Sequence, residues 1–195
     1  MKVSDLGQNN TINIDESASG GISIDLHGKN NTLTIHKNAV IHGFKLDIAG
    51  DNCSIEIGES CWLNGSFRCI ANDSHIKIGK STTMMNVEIY CHEAGRIDIG
   101  EDCMFSGNVQ IFNSDMHRIL DRSTGRRINP AADITINNHV WLGQGVTVAK
   151  GCVIGSGSIA AAKAFVRGNI PENVVVAGVP AKVVKADIEW KRELI

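Results

Sequence analysis

The chain has 195 residues and a formal net charge of -2, with 19 basic and 21 acidic side chains. That near balance sets up no overall field for nucleic acid or an anionic membrane, and nucleic acid is not expected as a partner, though local basic patches remain possible. No apolar run approaches the roughly 20 residues a membrane helix needs, the most apolar tract being broken by Lys163, and the opening MKVSDLG lacks the long apolar stretch of a secretion signal.

Isoleucine and valine (25 and 15) far outnumber leucine (8), and 20 glycines and 17 asparagines accompany them. β-Branched residues favour strands, while Gly and Asn tolerate the left-handed backbone of tight turns. Five similar segments open the chain: TINIDESA (11–18), TLTIHKNA (32–39), SIEIGESC (54–61), HIKIGKST (75–82) and RIDIGEDC (96–103). Their isoleucines 14, 35, 57, 78 and 99 recur every 21 or 22 residues. Turn-formers (GDN, NDS, EAG) precede three of these segments. The six cysteines (53, 61, 69, 91, 103, 152) contain no CxxC pair and read as reduced thiols of a cytoplasmic protein.

Phe105 and Ile111 continue the series from Ile99, but the next regular position, Ile136, lies 37 residues after Ile99. About 19 residues exceed what one coil of roughly 18 requires, so an excursion over 112–133 is predicted. It carries Arg118, Arg122, Arg126 and Arg127. His117 stands at its root with Asp115 two residues earlier; both are candidate catalytic residues, because an imidazole can take a proton from a hydroxyl at neutral pH and a carboxylate on its other nitrogen would fix the tautomer.

From Ile136 a strict period of six follows: Ile136, Leu142, Val148, Ile154, Ala160 and Val166, with small or apolar residues four places after each. A period of six fits neither a helix nor a plain strand. It fits a short strand plus a corner, three of which close a triangular coil; about eight coils are expected. An ordinary β-sandwich, the alternative, gives its strands no reason to keep this register. The expected fold is therefore all-β, a parallel solenoid over 1–185. DIEWKRELI (187–195) has helix-forming composition with Asp187 as a cap, which predicts a helical tail over 186–195.

The hexad repeat, NSDMH (113–117), VWLGQG (140–145) and PENVVVAGVPAKVVK (171–185) together resemble the hexapeptide-repeat acyltransferases, left-handed β-helix enzymes that move acetyl from acetyl-CoA to sugars and other acceptors. The resemblance covers most of the chain and implies the left-handed coil, a homotrimer with sites between subunits, and a hydroxyl of a saccharide as acceptor. It implies His117 as general base and Trp141 beside the active site and acetyl-CoA. It also implies Asn86 at the acceptor and a backbone N–H near Gly143 or Gln144 for the developing oxyanion. The pantetheine arm would pass Gly143, Ala161 and Ala162. Where sugar acetyltransferases commonly read AGSxVTKD, this chain reads AAKAFVRGN (161–169), leaving Arg167, Lys163 and Lys182 as candidates for the phosphates. No metal is expected. A zinc carbonic anhydrase on the same scaffold, with His75, His92 and His117 as ligands, is the alternative enzyme. A non-catalytic scaffold is a third reading, disfavoured because outward positions are not rows of identical residues.

Overall fold

The computed structural model describes residues 1–194. The chain winds as a three-sided parallel β-solenoid whose sides are here called A, B and C in the order met within a coil. Side C is a sheet of eight parallel strands: Thr11–Ile14, Thr32–Ile35, Ser54–Ile57, Ser74–Ile78, Gly95–Ile99, Ile134–Ile136, Val153–Ile154 and Asn169–Ile170. Its register stacks Ile14, Ile35, Ile57, Ile78, Ile99, Ile136, Ile154 and Ile170 one above another. The 21- and 22-residue repeat and the strict hexads thus build one column. All but Ile14 are buried.

Sides A and B behave differently in the two halves. In the upper coils they are separate short strands, such as Trp141–Leu142 on A and Thr147–Val148 on B, as a hexad requires. In the lower coils Val40–Ile48, Trp62–Cys69 and Thr83–Cys91 each run continuously across the A–B corner, and the register shifts between Gly43 and Lys45 and between Leu63 and Gly65. GDN, NDS and EAG all fall at the B–C corner, which is also where the excursion leaves.

The corners are held by residues with left-handed backbone. Asn86, Asn108, Gly145 and Lys163 form one such ladder at the A–B corner, and Asn38, Ser60, Ser81, Asp102, His139, Gly157 and Asn173 another at C–A. The interior is apolar, with small Cys152, Ser158 and Ala164 buried at corners as the narrow prism demands. All six cysteines are buried and unlinked; burial pushes the thiols of Cys61 and Cys103 up to about 11 and that of Cys152 to about 12.

The last parallel strand, Val174–Gly178, is covered by Ala181–Ala186, which turns back antiparallel. The predicted helical tail is not formed: Asp187–Leu194 contains no helix, and Ile195 lies outside the described residues. The segment instead runs as an extended strap along the C–A corner. Its long-range bonds, from Ile188 N–H to Asn173 O (3.0 Å) and from Arg192 down to Ser81 and Thr83, override its helix-forming composition. No helix among the described residues is long and apolar enough to cross a membrane.

Candidate active site

Phe112 completes a side B strand, so the excursion proper spans 113–133. Its neck is closed by buried Asn113, whose amide donates to Glu93 O (2.7 Å) and accepts from His92 N–H (2.9 Å), and whose carbonyl accepts from Ala132 N–H (3.1 Å). Glu93 takes both ends of the Arg127 guanidinium at 2.6 Å and the Ser114 hydroxyl. Arg127 first, then Ser114, hold the Glu93 carboxyl down at about 2. At the tip, Asp121 accepts from Ser123 and Thr124 (2.6 and 2.8 Å), which fixes a turn closed by Asp121 N–H on Arg126 O.

His117 is exposed, but its backbone is clamped. Its N–H donates to Asp115 O (2.7 Å), and its carbonyl accepts from the buried Asn129 amide (2.8 Å). The same Asn129 amide donates to Asp115 Oδ2 (2.8 Å), and its oxygen accepts from Ile119 N–H (2.7 Å). Lys150, from the coil above, donates to Asp115 Oδ2 (2.6 Å) and Asn129 O (3.0 Å). Lys150 first, then Asn129, lower the Asp115 carboxyl from its ordinary range. The Asp115 carboxylate is thus engaged by Asn129 and Lys150 and makes no hydrogen bond to the His117 ring among the described residues. Nothing in the sequence singles out Glu93, Asn129 or Lys150, and nothing there marks Asn113 or Arg127 as an anchor. Only the excess length of the loop signalled that something must anchor it.

The other predicted residues collect along the A–B corner. Asn86 and Asn108 lie one above the other, joined through their side chains. Gly143–Gly145 come next, then Ala161–Lys163, and Lys182, opposite Ala177, sits over the top. Gly143 is required here, since a Cβ would lie 2.7 Å from Ala162 N and 3.0 Å from Ala160 O. Its N–H donates to Ala160 O (2.8 Å). The Gln144 N–H has no partner among the described residues. Trp141 stands on side A just before this corner, half-exposed, its Nε1 buried without a partner. Arg167 is separate: it is exposed at the B–C corner, after the side B strand Phe165–Val166. His117 and the Gln144 corner are thus one prism side apart within a chain.

The zinc alternative finds no support. His75 is engaged by Ser54 Oγ at 2.9 Å, and His92 packs edge-on against Tyr90 and Phe112. Among the described residues no three His, Cys, Asp or Glu side chains converge as a metal would require.

A solenoid interrupted once by an anchored loop that presents a histidine is the architecture of a transferase of the hexapeptide-repeat kind. Comparison with known proteins agrees. No protein-family model matches the chain. A polysialic acid O-acetyltransferase of Neisseria meningitidis is 37% identical over 149 residues, 76% of this chain and 69% of that protein. One from Escherichia coli O1:K1 is 30% identical over 160 residues, 82% of this chain and 45% of the other. The structure of the polysialic acid O-acetyltransferase OatWY matches with a TM-score of 0.91 at 34% identity, over 100% of this chain and 93% of that one. That of the polySia-specific acetyltransferase NeuO matches at 0.69 and 25% identity, over 99% and 83%. The chain belongs to the hexapeptide-repeat O-acetyltransferases. It is an acetyltransferase, and its fold is the left-handed parallel β-helix of that family.

Proposed function

We propose that the protein transfers acetyl from acetyl-CoA directly to a hydroxyl of an acidic polysaccharide. His117 removes the proton from the acceptor hydroxyl, the oxygen attacks the thioester carbonyl, the Gln144 N–H receives the developing oxyanion, and as the C–S bond breaks the proton held by His117 passes to the sulfur, so that CoA leaves as the thiol. An oxyanion donor of this kind is typically worth about 3 kcal/mol of barrier. The pantetheine arm passes Gly143, Ala161 and Ala162, Trp141 borders the cleft, and Asn86 faces the acceptor. Lys182, with Lys163 beside it on the same corner, suits the CoA phosphates; Arg167, one side away, suits them only across a subunit boundary.

The observation that carries this reading is the clamp on His117, which fixes the backbone at both the N–H and the carbonyl and leaves the ring facing outward. The prism side that separates His117 from the Gln144 corner favours a homotrimer in which each site is built from two copies. With Arg127 consumed by Glu93, Arg118, Arg122 and Arg126 remain exposed on the loop, which suits a polyanionic acceptor such as the polysialic acid named for the relatives. Buried, unlinked thiols and a CoA donor favour the cytoplasm.

The test is His117→Ala, with free thiol release followed on acetyl-CoA and a panel of neutral and sialylated oligosaccharides. Turnover should fall by about 10²-fold or more with the fold intact. Near-normal turnover would refute the assignment.

A further inference from the structure

The strap along the C–A corner makes more contacts than closure of the solenoid needs. Trp190 is 6% exposed and lies flat on the His139 ring, with centroids 3.9 Å apart and planes 7° from parallel. Its Nε1–H donates to His139 O (3.0 Å), while His139 Nε2 lies 3.0 Å from Trp190 O and Nδ1 2.7 Å from Asp102 Oδ2. Two residues on, Arg192 donates to Asp102 Oδ1 (2.8 Å), Thr83 Oγ1 (2.9 Å) and Cys103 O (2.9 Å). Trp190 is thereby fixed from both ends of the strap. It packs against Trp141, with ring centroids 5.9 Å apart and a tilt of 48°.

Trp141 is held in a pose it would not choose alone. Its Nε1–H is buried with no acceptor among the described residues, and a buried unpaired donor costs free energy that rotation toward water would recover. Packing by Trp190 offsets that cost. We propose that Trp190 is a positioning residue for the acetyl-CoA cleft, with the strap 187–192 holding the Trp141 indole in the orientation that borders the donor. The proposal rests on the reading of Trp141 given above.

Acetyl-CoA binding to the full chain, measured by titration calorimetry, tests this without need of an acceptor. Trp141→Ala should weaken binding at least tenfold. Trp190→Ala should weaken it about tenfold, and Trp190→Phe, which keeps a ring against His139, about threefold or less. In a Trp141→Ala background, Trp190→Ala should add nothing, whereas a merely structural loss would appear in both backgrounds. Arg192→Ala loosens the strap while leaving both indoles in place, and covers the case in which Trp190→Ala fails to fold; a threefold loss that vanishes without Trp141 is expected. Unchanged affinity in Trp141→Ala overturns the placement of that ring beside acetyl-CoA, and this proposal with it. A loss in Trp141→Ala with none in Trp190→Ala or Arg192→Ala, or equal losses in both backgrounds, overturns only the role of the strap.

Discussion

Asn129 is the residue on which the clamp turns. Its amide and carbonyl serve Asp115, His117 and Ile119 at once, and it is buried. Asn129→Ala leaves the His117 carbonyl and the Ile119 N–H unpaired, which should cost about 1–3 kcal/mol and lower kcat by about 10- to 100-fold, because a histidine misplaced by an ångström loses that much. The acetyl-CoA KM should hold, since the A–B corner is untouched. A rise in that KM at constant kcat would contradict the assignment. The Lys150–Asp115 pair is half-exposed and by itself worth only about 0–1 kcal/mol. Lys150→Met should therefore leave the melting temperature nearly unchanged while reducing kcat about 3- to 10-fold by loosening Asp115 and Asn129 together. Thermal melts beside steady-state rates separate the two effects. His117 stands out in the sequence as a histidine at the root of an oversized loop, and its role as general base is what the family resemblance implies. Asn129 and Lys150 do not stand out, because their partners lie 14 and 35 residues away and no local pattern marks them.

At the scale of elements, the excursion is a loop whose order depends on one carboxylate. Glu93 is depressed to about 2 by Arg127 and Ser114. A carboxyl whose folded value lies below its ordinary value of 4.5 stabilises fully above 4.5, and that contribution is lost as pH falls through 4.5 toward 2. Asp115 shifts in the same direction and adds to the effect. Amide exchange over 113–133 should thus stay slow from pH 7 to about 4.5, after correction for intrinsic rates, and accelerate below it while side C amides remain protected. Arg127→Met should abolish the step by exposing the loop already at pH 7. A loop equally protected at pH 3 would disprove the anchor. The excursion could be predicted as an element because length arithmetic needs no partner. The tail could not: DIEWKRELI satisfies helix propensity, and distant contacts such as Trp190 on His139 and Arg192 on Asp102, 51 and 90 residues away, decide otherwise.

Over the whole molecule, the hexad is legible because each coil repeats the same demand on space, so one inward position per side fixes the column. What the repeat leaves unstated is where the columns break, namely the continuous, bulged strands of the lower coils and the single corner that collects every insertion. The same one-dimensional logic governs stability, since a coil contacts chiefly its two neighbours. Ile78 is fully enclosed between Ile57 and Ile99. Ile78→Ala removes apolar area and leaves a cavity that two rigid coils cannot collapse, for a loss of about 2–5 kcal/mol. Because the strain passes only through adjacent coils, faster amide exchange should concentrate in Ser54–Ile57, Ser74–Ile78 and Gly95–Ile99. The strands from Val153 upward, braced separately by Ala181–Ala186, should keep their protection. If exchange rose uniformly from the first coil to the last, the solenoid would be one cooperative block, and the nearest-neighbour description of this chain would have to be abandoned.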